Sequence, residues 1–190
     1  MGDLRLPQFD DKYDRQKMGI LVDILENTFT NISRFFAFAK RATYQVISNT
    51  TPVGNITTGV DTLITYTLQP NVLARDGYNI EIKAWGTFAA NANNKHLKLL
   101  FGGATLYDSG VVAANAGSWM ITAIVTRTGA ATQQAITSMI TSNATVGNSA
   151  TYIVPTETLS ATIVIKCTGE AVDTNDIIQK GLLVKVFPQE

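Results

Sequence analysis

The sequence predicts a mainly β protein: an N-terminal α-helix followed by a two-sheet antiparallel β-sandwich of jelly-roll type. Three observations lead there. Residues 1–41 hold 13 of the 30 charged side chains, so charge is concentrated at the start of the chain. Threonine has the opposite bias, with 23 of 25 at or beyond Thr43. Apolar residues recur at helical spacing up to about residue 40 and alternate with polar ones thereafter. Two parts are therefore expected, an extended peptide plus helix over 1–42 and a β-domain over 43–190.

The chain opens on an apolar, proline-punctuated peptide containing Leu4, Leu6, Pro7 and Phe9. Pro7 biases Leu6 away from helix. Such a segment is either a disordered tail or a docking peptide; as a docking peptide, its contacts are Leu4, Leu6, Pro7, Phe9 and Tyr13. The helix follows. Asp10, Asp11 and Asp14 suit its positive N-terminal end, with Asp11 as N-cap, and Lys40 and Arg41 suit the other end. In heptad terms Met18, Leu25, Ile32 and Ala39 fall on a, Leu21, Thr28 and Phe35 on d, and Val22, Phe29 and Phe36 on e. A stripe that wide exceeds what a two-stranded coiled coil buries. It fits either a helix packed on its own domain or a bundle of three or more chains. Its position ahead of the β-region, instead of among the strands, favours the bundle, with those a, d and e residues as the oligomer seam.

Strands are expected near 43–49, 60–68, 79–89, 95–101, 104–108, 118–128, 132–142, 150–154, 158–168 and 178–187. Gly102-Gly103 marks a hairpin turn, Gly129-Ala130 another, and Asp76-Gly77 a tight turn before NIEIKAW. Many short strands without a fixed-period repeat suit a sandwich and not a propeller or β-helix.

Composition excludes several functions. Fifteen basic and fifteen acidic residues cancel, which leaves no electrostatic footprint for nucleic acid or an anionic membrane. No apolar run approaches the ~18 residues of a membrane helix. One cysteine and one histidine allow neither an internal disulfide nor a Cys/His zinc site. No signal-peptide core follows the charged N-terminus, so synthesis in a cytoplasm without Sec export is expected. No catalytic residue, metal ligand or cofactor site is assigned. Alternation places Cys167 inward with Ile163 and Ile165, and His96 outward with Lys98, too far apart for a nucleophile and its base. Ser109, in YDSG, reads as a turn residue after a strand. VDTND at 172–176 reads as a polar turn in preference to a calcium loop. Sequons at Asn31, Asn49, Asn55 and Asn143 read as chance matches in a threonine-rich chain. Trp85 is expected to point outward, into a subunit interface, a receptor-binding face, or a covering loop of its own domain.

Two regions carry a family resemblance. LPQFDDKYDRQKMGILVDILENTF resembles the start of small tailed-bacteriophage virion proteins, in which a proline-containing peptide and short helix attach an accessory or fibre subunit to the particle. IEIKAWGTFAANANNKHLKLLFGGATLYDSG and TGEAVDTNDIIQKGLLVKVF are similar to the jelly-roll domain at the C-terminal end of such proteins. The resemblance implies a homotrimer without enzymatic activity, sited on the capsid, neck or tail and attached to other virion proteins through residues 1–14. The chain is shorter than long tail fibres and has no shaft. The alternative expectation is a carbohydrate- or receptor-binding adhesin, with Trp85 and a host-surface glycan in contact.

Overall fold

A computed structural model describes residues 20, 22–30, 44–56 and 58–187. The chain divides into two units, Met1–Ala42 and Thr43–Glu190. In the first, residues 22–30 are helical.

The second unit is a two-sheet antiparallel sandwich of jelly-roll-like form. Its strands are β1 (Tyr44–Asn49), β2 (Val53–Gly54), β3 (Val60–Leu68), β4 (Asn79–Phe88), β5 (Lys95–Phe101), β6 (Ala104–Val112), β7 (Ser118–Gly129), β8 (Thr132–Thr141), β9 (Ser149–Ile153), β10 (Ile163–Ala171) and β11 (Ile177–Phe187). The larger sheet runs β1-β11-β4-β7-β8-β9, with β2 also on β11; the smaller runs β3-β10-β5-β6.

Period-two alternation builds the core. Ile80, Ile82 and Ala84 of β4, Ile121, Ala123 and Val125 of β7, and Leu182 and Val184 of β11 point inward from the larger sheet. Leu97, Leu99 and Phe101 of β5 and Ile165 and Cys167 of β10 meet them from the smaller one. Each of the isoleucine, leucine, valine and phenylalanine side chains contributes on the order of 1.5–3 kcal/mol on burial.

Three strands depart from the expected bounds, each for a physical reason. The segment expected as a strand from residue 158 starts at Ile163 instead. Leu159 is buried, but on a loop, where its N–H donates to the Ala130 carbonyl and its own carbonyl accepts from Asn71 N–H. Strand β6 runs on to Val112, so Ser109 is not a turn residue after a strand. It sits in a bulge, where the register slips between the pairs His96↔Val111 and Lys98↔Asp108. Strand β2, two residues long, was not expected at all; it pairs with Ile178 and Gln179. A further bulge, opposite Cys167, lets the adjacent Leu63 and Ile64 both be buried. There Gln179, wholly buried on β11, accepts from Ile64 N–H at 2.9 Å and so ties one sheet to the other.

Candidate functional site

The candidate anchor residues Leu4, Leu6, Pro7, Phe9 and Tyr13 lie outside the described residues, as do Met18, Leu21, Ile32, Phe35 and Phe36 of the candidate seam. The rest of the seam falls on the helix. Val22, Leu25 and Phe29 are exposed, Phe29 at 65%. Thr28 turns its hydroxyl back to donate to the Ile24 carbonyl at 2.7 Å. Ile20 and Ile24, which the heptad reading left out, are exposed as well, so apolar surface extends beyond the a, d and e columns.

Trp85 stands on the outer face of β4, opposite Gly181 of β11 on one side and Met120 of β7 on the other. Its ring lies over Gly181, where a Cβ would collide with it. One side of the indole is thus covered by its own sheet, and the residue is half-buried. Beside it is a shallow depression of about 550 Å³, lined by Gly86, Ser118, Met120, Ile140, Thr141 and Ser142.

The lone cysteine and histidine fall on opposite sides of the smaller sheet. Cys167 is fully buried, and burial pushes its thiol up to about 12, which leaves it protonated and unreactive at neutral pH. His96 faces outward between two carboxylates. Its Nε2 lies 2.6 Å from Asp108 Oδ1 and its Nδ1 3.5 Å from Glu170 Oε2. Lys98 Nζ is 3.2 Å from the other Asp108 oxygen. Burial raises the Asp108 carboxyl, but hydrogen bonds from Gly110 N–H, His96 and Lys98 outweigh it and hold the group below the usual carboxylate range. Ser109 is no nucleophile for this histidine: its Oγ accepts from Leu97 N–H and donates to the Gly110 carbonyl.

A second polar cluster, which the sequence reading missed, is internal. Lys95 begins β5 on the inward face and is 1% exposed. Its ammonium donates to the Asn91 carbonyl, Asn91 Oδ1 and the Asn93 carbonyl at 3.1, 2.7 and 3.2 Å. Asp176, equally buried, accepts from Asn91 Nδ2, Asn93 Nδ2 and Asp173 N–H. Burial lowers the Lys95 pKa and the Asp176 charge partly restores it. Burial raises the Asp176 carboxyl, and its hydrogen bonds and Lys95 outweigh that to leave it depressed. Asn55, also buried, completes the corner by donating to the Asp173 carbonyl and accepting from Ile177 N–H. The VDTND turn is thus occupied by protein donors. Among the described residues no group of His, Cys, Asp and Glu is arranged to hold a metal ion.

The sequons at Asn55 and Asn143 are buried. Asn143 Nδ2 donates to the Asn115 and Ala116 carbonyls, so it clasps two loops together and presents no amide to solvent.

No family model matches the chain, and no curated protein does. In structure it is similar to lectin UEA-II, solved in complex with galactose, at 5% identity and a TM-score of 0.32, over 77% of this chain and 92% of that one. A TM-score that low says nothing about what this chain binds. No helix among the described residues is long and apolar enough to cross a membrane.

Proposed function

We propose that the chain is a non-enzymatic structural subunit of a bacteriophage virion, a short fibre or a neck, tail or capsid accessory. It would act as a homotrimer attached through its N-terminal segment. The observation that carries the reading is the helix over 22–30, on which Val22, Leu25 and Phe29 are all exposed at seam positions. An isolated helix of only a few turns is marginal alone in water and needs a packing partner. Three helices side by side would supply one and would present three copies of the preceding peptide together, which raises docking affinity by roughly 10²–10⁴ over one copy. The orientation of Cys167 and His96 supports the absence of thiol catalysis in the same reading.

The test is deletion of residues 1–14 in a phage that carries the gene. The truncated protein is expected to remain a folded oligomer and to be missing from purified particles. Incorporation at the normal level would end the anchor reading.

One observation favours a second reading, a carbohydrate-binding adhesin. The depression is lined by Ser118, Thr141 and Ser142 next to the aromatic ring of Trp85, a combination of residue types that suits a sugar. Under that reading Trp85→Ala abolishes binding to host cells or glycan and leaves particle incorporation untouched; under the anchor reading it changes neither.

A further inference from the structure

The outer face of the larger sheet is chemically divided. On β4 it carries Glu81 and Lys83, joined by an ion pair at 2.8 Å. On β7, β8 and β9 it carries no charge. From Thr128 to Thr156 the sequence contains no Asp, Glu, Lys or Arg, a run that spans the whole of β8 and β9. Cross-strand partners share a face, so the register assembles the outward apolar side chains into rows. Ile124 pairs with Ile136 and Ile136 with Tyr152; four residues along, Met120 pairs with Ile140. Ile124, Ile136, Ile140 and Tyr152 are 42, 46, 55 and 59% exposed. Four such neighbours reach the size, roughly a few hundred Å², at which exposed apolar patches mark contact surfaces.

The margin of this face has the same character. Among the described residues, strand β9 is the end of the sheet and pairs with β8 alone. Edge strands that must stay unpaired are commonly guarded by lysine, an inward charge or a proline within the strand. β9, SATYI, has none of these.

We infer that the outer face of β7, β8 and β9 is a contact surface between copies of this chain. Charge selects that occupant. In a ring of identical chains, residues near the rotation axis face their own copies, so any charge there meets its own sign. A face with no charges over three strands avoids that cost. A partner of opposite charge, by contrast, would find no ion pair here to recognise. Threonine and serine between the isoleucine rows, at Thr122 and Ser138, give hydroxyls that can both donate and accept against themselves. The inference shares with the proposed function the premise that the chain works as several copies, but it places contacts on residues of the β-unit.

The experiment uses the full-length chain and reads solution mass by sedimentation equilibrium over a range of concentrations. Ile136→Glu puts a like charge on each copy at a position already half open to water. It is expected to weaken self-association at least tenfold while the circular dichroism spectrum and melting profile stay those of the parent. Should that variant fail to fold, Ile136→Ser is measured instead, with an expected loss of about threefold. Unchanged association in the folded variant overturns the inference, and leaves the virion reading standing if Phe29→Ser does weaken association. Normal association combined with loss from particles assigns the face to a different virion protein and also overturns it. A parent chain that is monomeric at all concentrations removes both this inference and the trimer.

Discussion

At the scale of single residues, the interior of the sandwich is chemically quiet because its one thiol is held protonated. Burial raises the Cys167 pKa from 9.0 to about 12. A thiol whose folded pKa lies above its unfolded value binds more protons folded than unfolded between the two. Its share of stability is therefore intact below about 9 and lost as pH rises toward about 12. Cys167→Ser should remove that dependence, so the stability gap between parent and variant narrows from pH 9 upward. At neutral pH the variant costs about 1–3 kcal/mol for its buried hydroxyl. Urea titrations at pH 7 and pH 10 measure both, and a gap that widens with pH would sink the account. The inward side of Cys167 and the outward side of His96 were legible from alternation alone, because both lie in strands where every second residue is buried. Lys95 was not. Alternation put it on the face of Leu97 and Leu99, where a charged residue has no evident reason to be. Its justification, the Asn91, Asn93 and Asp176 network, depends partly on a turn about eighty residues later in the chain, and no local pattern announces such a meeting.

Elements were legible where hydrophobic alternation coincided with hydrogen bonding, and misread where it did not. The strands β4, β5, β7 and β8 appear close to the expected bounds because each alternates over most of its length, and β3 and β11 because each alternates on either side of one bulge. Alternation ran on through Leu159, but that residue reaches the core from a loop. At β6 the glycine after Ser109 suggested a stop, whereas the strand absorbs it as a bulge and continues. Two glycines on neighbouring central strands show how tightly these elements approach. A Cβ on Gly86 would meet the Ile178 carbonyl oxygen and, at 2.6 Å, Trp119 Cζ2. The three atoms nearest a Cβ on Gly181 all belong to the ring of Trp85, on the outer face. Backbone cannot move aside without breaking the β4–β11 ladder, but a half-buried ring can. Gly86→Ala is therefore expected to cost about 3 kcal/mol, the upper part of the overpacking range, and Gly181→Ala about 1 kcal/mol. Thermal melts give the ranking. The tryptophan emission of Gly181→Ala should also shift red as Trp85 is lifted toward water, and equal costs with no shift would contradict the packing described.

At the scale of the whole molecule the two units pose one question, which is how many surfaces hold the copies together. On the helix, Val22, Leu25 and Phe29 are exposed at positions that heptad spacing marks, and Ile20 and Ile24 at positions it does not. The charge-free sheet face was only half legible: apolar residues on both faces of SWMITAIVTRT were visible in the sequence, but their union with Ile136, Ile140 and Tyr152 needed the register of β7, β8 and β9. If both surfaces serve the same oligomer, closing one makes the other effectively intramolecular, and the chain gains the avidity of two linked contacts. Losing either then leaves a weaker association that still forms as concentration rises, and losing both leaves none. Phe29→Ser and Ile136→Glu, each in the full-length chain, should therefore each give a solution mass that climbs with concentration toward that of the parent. The double variant should stay at the mass of a single chain, near 20.5 kDa, across the same range. Folding is checked by an unchanged strand signal in the far ultraviolet, since both substituted side chains are exposed and neither belongs to the core. A double variant that associates as well as either single one would mean that one of the two surfaces holds nothing. The single variant it matches would then identify the surface that does the holding: a match to Phe29→Ser leaves the helix, and a match to Ile136→Glu leaves the sheet face.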